Sequence, residues 1–319
     1  MKNSKILYIM GIALTVVAVV VIAAWVYTHD NSRRASDDGY IFDVNNYSTY
    51  PEGYGAMYYS LENDSARLPT TNYVDGNFSG RLAFFNGMYN ATTYMMFALC
   101  DYNQSPILLD GSTGYTHVIN TTPRSYHNAT FSLPIAGEGR HDVLIVFVQD
   151  PFNQSIDNES RMETAFSINP ARYNVIVGND TKPSIAYAEA PATDASYNVS
   201  ALMVNKEPHS NNWWFTENAS GGETLNFYIN EWNGGVNTTD RAFAIVQLLD
   251  YGQTPIGNQT TYYGTVKAGM IATIPSSVVV PDDDRMHEIL ALSIGYPYEY
   301  DGSPQQLNYL QYSPRIGLL

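Results

Sequence analysis

The hydrophobic pattern divides the chain into two unlike parts. From Ile6 to Tyr27 the sequence ILYIMGIALTVVAVVVIAAWVY runs 22 residues without a charge. At the helical rise this covers ~33 Å, enough for a hydrocarbon core of ~30 Å. Lys2 and Lys5 precede it, His29, Asp30, Arg33 and Arg34 follow, and Trp25 and Tyr27 suit a membrane–water interface. The run predicts one transmembrane helix over residues 6–27, with residues 1–5 cytoplasmic and 28–39 a linker. A cleaved signal peptide competes with this reading, but its apolar core is ~7–15 residues and ends in a small-residue cleavage site. A pilin-type helix cut just before the run is a third reading; no Gly or Ala follows Lys5 to mark such a cut.

Past residue 40 the pattern changes period. Leu225, Phe227 and Ile229 alternate with polar neighbours, the mark of a half-buried strand. Ala242 to Leu249 and Glu288 to Ile294 are nearly continuous apolar runs of strand length, fit for the core of a sandwich. Turns rich in Gly, Asn, Pro and Asp separate such runs, and no stretch here sustains a 3.6-residue period.

The chain also repeats itself. Asn86-Gly87-Met88-Tyr89-Asn90-Ala91-Thr92 is answered by Asn233-Gly234-Gly235-Val236-Asn237-Thr238-Thr239. Cys100-Asp101-Tyr102-Asn103-Gln104-Ser105-Pro106-Ile107 is answered by Leu249-Asp250-Tyr251-Gly252-Gln253-Thr254-Pro255-Ile256. His141-Asp142 matches His287-Glu288, and Pro170-Ala171-Arg172 matches Pro314-Arg315. Two modules follow, residues 40–182 and 183–319, joined near Pro183 and Pro191. Several short strands in each predict an all-β fold: two tandem immunoglobulin-like or fibronectin-type β-sandwiches after one N-terminal transmembrane α-helix.

Gly222-Glu223-Thr224-Leu225-Asn226-Phe227-Tyr228-Ile229-Asn230-Glu231-Trp232-Asn233-Gly234-Gly235, then a strand ending Leu249-Asp250-Tyr251-Gly252, resembles the cell-adhesion-related Ig-like modules of archaeal and bacterial surface proteins. In the first module Asn77-Phe78-Ser79-Gly80 replaces the Gly-Glu-Thr start. The resemblance implies surface display with adhesion or spacing, and brings no catalytic residues.

Composition supplies the orientation that the flanking charges leave open. Of 28 Asn, 14 stand in Asn-x-Ser/Thr with x not Pro, where 48 Ser and Thr in 319 residues would give about four by chance. They are Asn46, Asn63, Asn77, Asn90, Asn103, Asn120, Asn128, Asn153, Asn158, Asn179, Asn198, Asn218, Asn237 and Asn258, ten in the first module and four in the second. These predict N-linked glycans and an extracellular body. A net charge of −15 with five Lys argues against nucleic acid as partner. One cysteine beside so many sequons resembles archaeal surface glycoproteins, since exported eukaryotic modules usually carry disulfides.

Few residues offer chemistry. Cys100 aligns with Leu249, which points to an ordinary buried position rather than a nucleophile. His141 and His287 correspond to one another and read as structural, a zinc site needing three or four converging ligands. Asp282, Asp283 and Asp284 form a turn that could give calcium two or three oxygens, although the matched turn of the first module, Ala136-Gly137-Glu138-Gly139, has no such cluster. No phosphate-binding Gly loop or nucleophile elbow is present. Trp213-Trp214-Phe215 could stack on a sugar or pack in a core. Tyr296, Tyr298, Tyr300, Tyr309 and Tyr312 lie in a stretch without sequons, which suggests a protein contact face; core strands are the alternative.

Together these features predict a non-enzymatic surface protein of the cell envelope. It would stand in the lipid bilayer through residues 6–27 and meet a protein partner, an S-layer or a second copy of itself. The competing expectation is an anchored receptor or accessory subunit that binds a solute or glycan for a membrane complex. A hydrolase with spatially assembled carboxylates is a third.

Overall fold

The computed structural model describes residues 57–63, 66–68, 70–86, 90–155, 157, 161–162, 167–195, 200–210, 212–234, 239–300 and 310–319. The expected membrane span, Asn46, Asn158, Asn198, Asn237 and Tyr309 lie outside these residues, as does the side chain of Asn63. No helix among the described residues is long and apolar enough to cross a membrane.

The described chain is all β, arranged as four sheets. In the first half an outer sheet runs Ala66–Arg67, Met57–Asn63, Asn77–Asn86, Ser125–Pro134, Ile107–Leu109, Ser112–Gly114. The inner sheet runs Thr71–Val74, Ile168–Val177, Gly139–Gln149, Thr92–Cys100, Asn103–Ser105, with Thr116–Thr121 also pairing on Thr92–Cys100. In the second half the inner sheet runs Ala188–Glu189, Thr261–Val266, Arg241–Leu249, His287–Gly295, Ile316–Leu318, Thr216–Glu217. Gly252–Thr254 and Leu310–Tyr312 pair beside it on Arg241–Leu249 and His287–Gly295. The outer sheet runs Ala192–Asp194, Met270–Val279, Thr224–Asn233, Ser200–Asn205.

Each half is a sandwich, because the facing sides of its two sheets share a core. Leu82, Phe84 and Phe131 of the outer sheet meet Met96, Val143 and Ile145 in the first half. Phe227, Ile229 and Ile274 meet Phe243, Ile245 and Ile289 in the second. A third core lies between the halves, where the inner sheets pack on one another: Phe97, Leu99, Leu144 and Val146 against Val246, Leu248, Leu290 and Leu292. The structure is thus four sheets with three apolar layers between them.

This layering explains the two sequence patterns. Outer strands have one wet face and alternate, so Phe131 and Leu133 are buried while Thr130 and Pro134 are exposed. Inner strands are buried on both faces, and His287–Gly295 has no exposed position at all. The continuous apolar runs therefore mark strands that serve two cores, one more than a lone sandwich requires. The join between the halves is pinned in place: Ala188–Glu189 adds in parallel to Thr261–Val266, and Ala192–Asp194 adds antiparallel to Met270–Val279.

Candidate functional site

The residues repeated between the halves converge on the seam between the inner sheets. The site begins with two tight hairpins. Asp101 and Tyr102 have φ of 50° and 63°, and Asp250 and Tyr251 have 49° and 64°. Two successive positive φ values make the turn that fits a two-residue hairpin and normally select Asn-Gly. A tyrosine held there costs about 1 kcal/mol or more and persists only where its surroundings fix it.

Both side chains of each turn are fixed. Asp101 accepts from the backbone N–H of Asp142 (3.1 Å) and contacts His141 Nδ1 (2.7 Å). Asp250 accepts from Glu288 N–H (3.0 Å) and contacts His287 Nδ1 (2.6 Å). The turn tyrosines are buried in the seam, Tyr102 donating to Asp142 Oδ2 (2.5 Å) and Tyr251 to Glu288 Oε2. Burial, and then the adjacent carboxylate, push both phenols well above their usual range, so both remain donors.

An arginine completes each set. Arg172 pairs with Asp142 and donates to the carbonyls of Gly295 (2.8 Å) and Tyr296 (3.0 Å) in the other half. Arg315 lies 3.6 Å from Glu288 and donates to Tyr251 Oη (2.9 Å) and to the carbonyl of Asp150 (3.0 Å), again in the other half. Asp150 and Tyr296 stand at equivalent places, each before a proline and each with φ near 50°. The seam is reciprocal where the hairpins meet. Gln104 N–H donates to Gln253 Oε1 (2.6 Å) and Gln253 N–H to Gln104 Oε1 (2.9 Å). Gln104 Nε2 reaches the Tyr251 carbonyl, and Gln253 Nε2 the Tyr102 carbonyl (2.8 Å each). Contacts that repeat with partners exchanged define an isologous interface, here formed inside one chain.

The symmetry breaks at Arg161. This buried residue comes from the first half and donates to Glu288 Oε1 (2.7 Å) and to the Arg315 carbonyl (3.1 Å). Glu288 therefore faces two arginines, whereas Asp142 contacts Arg172 together with the Tyr298 N–H (3.2 Å). Carboxylate, tyrosine and arginine form a chemically capable set. In both places, however, these groups bond to one another and to backbone across the seam, which makes the set a fastener.

The other candidate residues fall as follows. Cys100, Asp101 and His141 bring three potential metal ligands within 4.8 Å of one another. Burial and then Asp101 raise the Cys100 thiol, and the same Asp–His contact forms in the second half beside Leu249. The contact thus follows from the turn. Asp283 is committed to Arg285 (3.1 Å) and lies 3.2 Å from His287 Nε2, while Asp282 and Asp284 are exposed. Trp214 packs on the second core and donates to Glu217, whereas Trp213 is exposed and stacks on Phe215 at 6.0 Å.

Of the sequon-free tyrosines, Tyr298 and Tyr300 are each 5 % exposed and spent on the first half. Tyr298 lies against Tyr102 (5.4 Å), and Tyr300 lies under Arg172 and accepts from Asn174 through its carbonyl. Tyr296 and Tyr312 are half-buried. The face proposed for an outside partner is in large part turned onto the protein itself.

The asparagines divide by motif. Of the nine sequon asparagines whose burial is described, Asn77, Asn90, Asn103, Asn120, Asn128, Asn179, Asn218 and Asn258 are exposed and Asn153 is half-exposed. Of the nine described asparagines outside sequons, Asn72, Asn86, Asn174, Asn205, Asn230 and Asn233 are buried.

No family model matches the chain, and no curated protein matches it. Similar solved structures include the CARDB domain of a Pyrococcus furiosus protein in complex with di-metal ions, at 14 % identity over 38 % of this chain and 92 % of that domain, TM-score 0.24. WR4, a Caenorhabditis elegans MSP family member, is 8 % identical over 34 % of this chain and 94 % of its own, TM-score 0.21. Red sea bream transglutaminase is 10 % identical over 85 % of this chain, TM-score 0.24; the chain spans about a third of it, 34 %. With TM-scores of this size, none establishes a shared fold.

Proposed function

We propose that this chain is a membrane-anchored, N-glycosylated surface protein that acts through structure and contact rather than catalysis. Its two sandwiches are taken as immunoglobulin-like modules of the cell-adhesion-related kind, on the motif residues Gly222 to Gly235. The observation that carries the glycoprotein reading is the division of the asparagines. An acceptor must present its amide to solvent, and none of the nine described sequon asparagines is buried, against six of nine outside sequons. The non-catalytic reading is supported by the seam, whose titratable groups are bonded across the two halves. Exposed Trp213, stacked on half-buried Phe215, favours instead a receptor that captures a sugar or solute.

The test is protease shaving of intact cells followed by glycopeptide mass spectrometry. Release of the body from outside, with sugar on the exposed sequons, is the expected result. A body protected from external protease, or bare asparagines throughout, would sink the proposal.

A further inference from the structure

The inner sheet of the first half ends in an open edge. Thr116–Thr121 (Thr-His-Val-Ile-Asn-Thr) pairs with Thr92–Cys100 on one side, and among the described residues no strand pairs with the other. Ile119 is buried, while Val118 and Asn120 sit on the opposite face and are exposed, Val118 by 48 %. An uncharged edge rich in β-branched residues is a template for another chain, and proteins commonly block such edges with lysine. The chain has five lysines, and none lies in this strand.

The second half handles the matching edge differently. Its corresponding strand, Thr261–Val266, pairs with Arg241–Leu249 on one side and is covered on the other by Ala188–Glu189. Thr265 stands opposite Ala242 as Asn120 stands opposite Thr93, and it is Thr265 that pairs with Glu189. Asn120 thus occupies the position that the covering strand shields in the other half. Its Oδ1 accepts from Thr93 Oγ1 (2.9 Å), a bond that uses the oxygen and not the nitrogen that would carry sugar.

We infer that a glycan on Asn120 caps this edge, doing for the first half what Ala188–Glu189 does for the second. Without it two copies of the chain pair edge to edge through Thr116–Thr121. The inference rests on the glycoprotein reading, and its test separates the two. Thr122→Ala abolishes the sequon while leaving residues 116–121 intact. Asn128→Gln removes a sugar from the outer sheet, where Asn128 stands opposite Ala83 and not in the strand of the open edge, and serves as control. Thr122→Ala with Val118→Lys places a charge on the bare edge. The full chain and each variant, made in a glycosylating host and extracted in mild detergent, are compared by glycopeptide mass spectrometry and by particle mass.

The expected result is sugar on Asn120, at least a doubling of mean particle mass for Thr122→Ala, no change for Asn128→Gln, and reversal by Val118→Lys. Occupied Asn120 with unchanged mass in Thr122→Ala overturns the edge cap and leaves the glycoprotein reading standing. Equal association in Asn128→Gln, or association that Val118→Lys does not reverse, also overturns it. So does a bare Asn120 among occupied sequons. Absence of sugar from every sequon removes both.

Discussion

Inside the first sandwich Phe84 meets Tyr94 edge-on at 4.7 Å and Phe147 at 5.8 Å. At the equivalent positions the second sandwich has Glu231, Phe243 and Ser293, with Arg241 where the first has Thr92. There Arg241 pairs with Glu231 and also donates to the Trp232 carbonyl (2.7 Å), all within the protein interior. One strand layout thus accommodates an aromatic cluster in one half and a buried ion pair in the other. The seam shows the opposite behaviour: Asp-Tyr, the following Gln, His-acid and the Pro-linked Arg recur in both halves. Interiors need volume and satisfied polar groups, which several combinations supply. An interface whose contacts repeat with partners exchanged needs the same atoms on both sides.

The largest effect that would break the comparison lies at the seam. Arg172→Met leaves Asp142 buried without its arginine and is expected to cost about 3–5 kcal/mol. Arg315→Met should cost about half as much or less, because Arg161 stays beside Glu288. Denaturant unfolding of both variants checks the order, and equal losses would mean that Arg161 contributes nothing.

A smaller effect sharpens the contrast between interiors. Carrying the aromatic set across by Glu231→Phe, Arg241→Thr and Ser293→Phe together should be neutral or stabilise by up to about 4 kcal/mol, since apolar packing commonly matches or exceeds a buried pair. A loss above about 2 kcal/mol would show that this ion pair is required.

The smallest effect is a pH slope. Burial raises the Glu231 carboxyl and Arg241 opposes this, with the net direction upward. The folded state then keeps that proton to higher pH than the unfolded chain does. This group's contribution is greatest below the ordinary glutamate value and declines as pH rises through the raised one. The triple variant should lose that slope in unfolding curves taken across acidic pH. An unchanged slope would assign it to other groups.

Much of this was legible in the sequence. Alternation at Leu225, Phe227 and Ile229 reports one wet face, and the paired motifs report duplication. The continuous runs at Ala242–Leu249 and Glu288–Ile294 indicate sandwich core. A strand buried on both faces looks the same whichever element covers its second face, so the third core was not visible. The repeated Asp-Tyr stands in the sequence as the end of a strand, because a sequence does not show that a tyrosine at positive φ is held by a carboxylate elsewhere. Tyr298 and Tyr300 face the first half, which the absence of sequons alone does not reveal. Arg161 has no counterpart in the repeat and carried no signal.

The central claim is that the seam makes the two sandwiches one folding unit. Scanning calorimetry of the whole chain tests it most directly. The account predicts a single transition for residues beyond the membrane segment, with calorimetric and van't Hoff enthalpies in agreement. Two separable transitions, one for each sandwich, would contradict it.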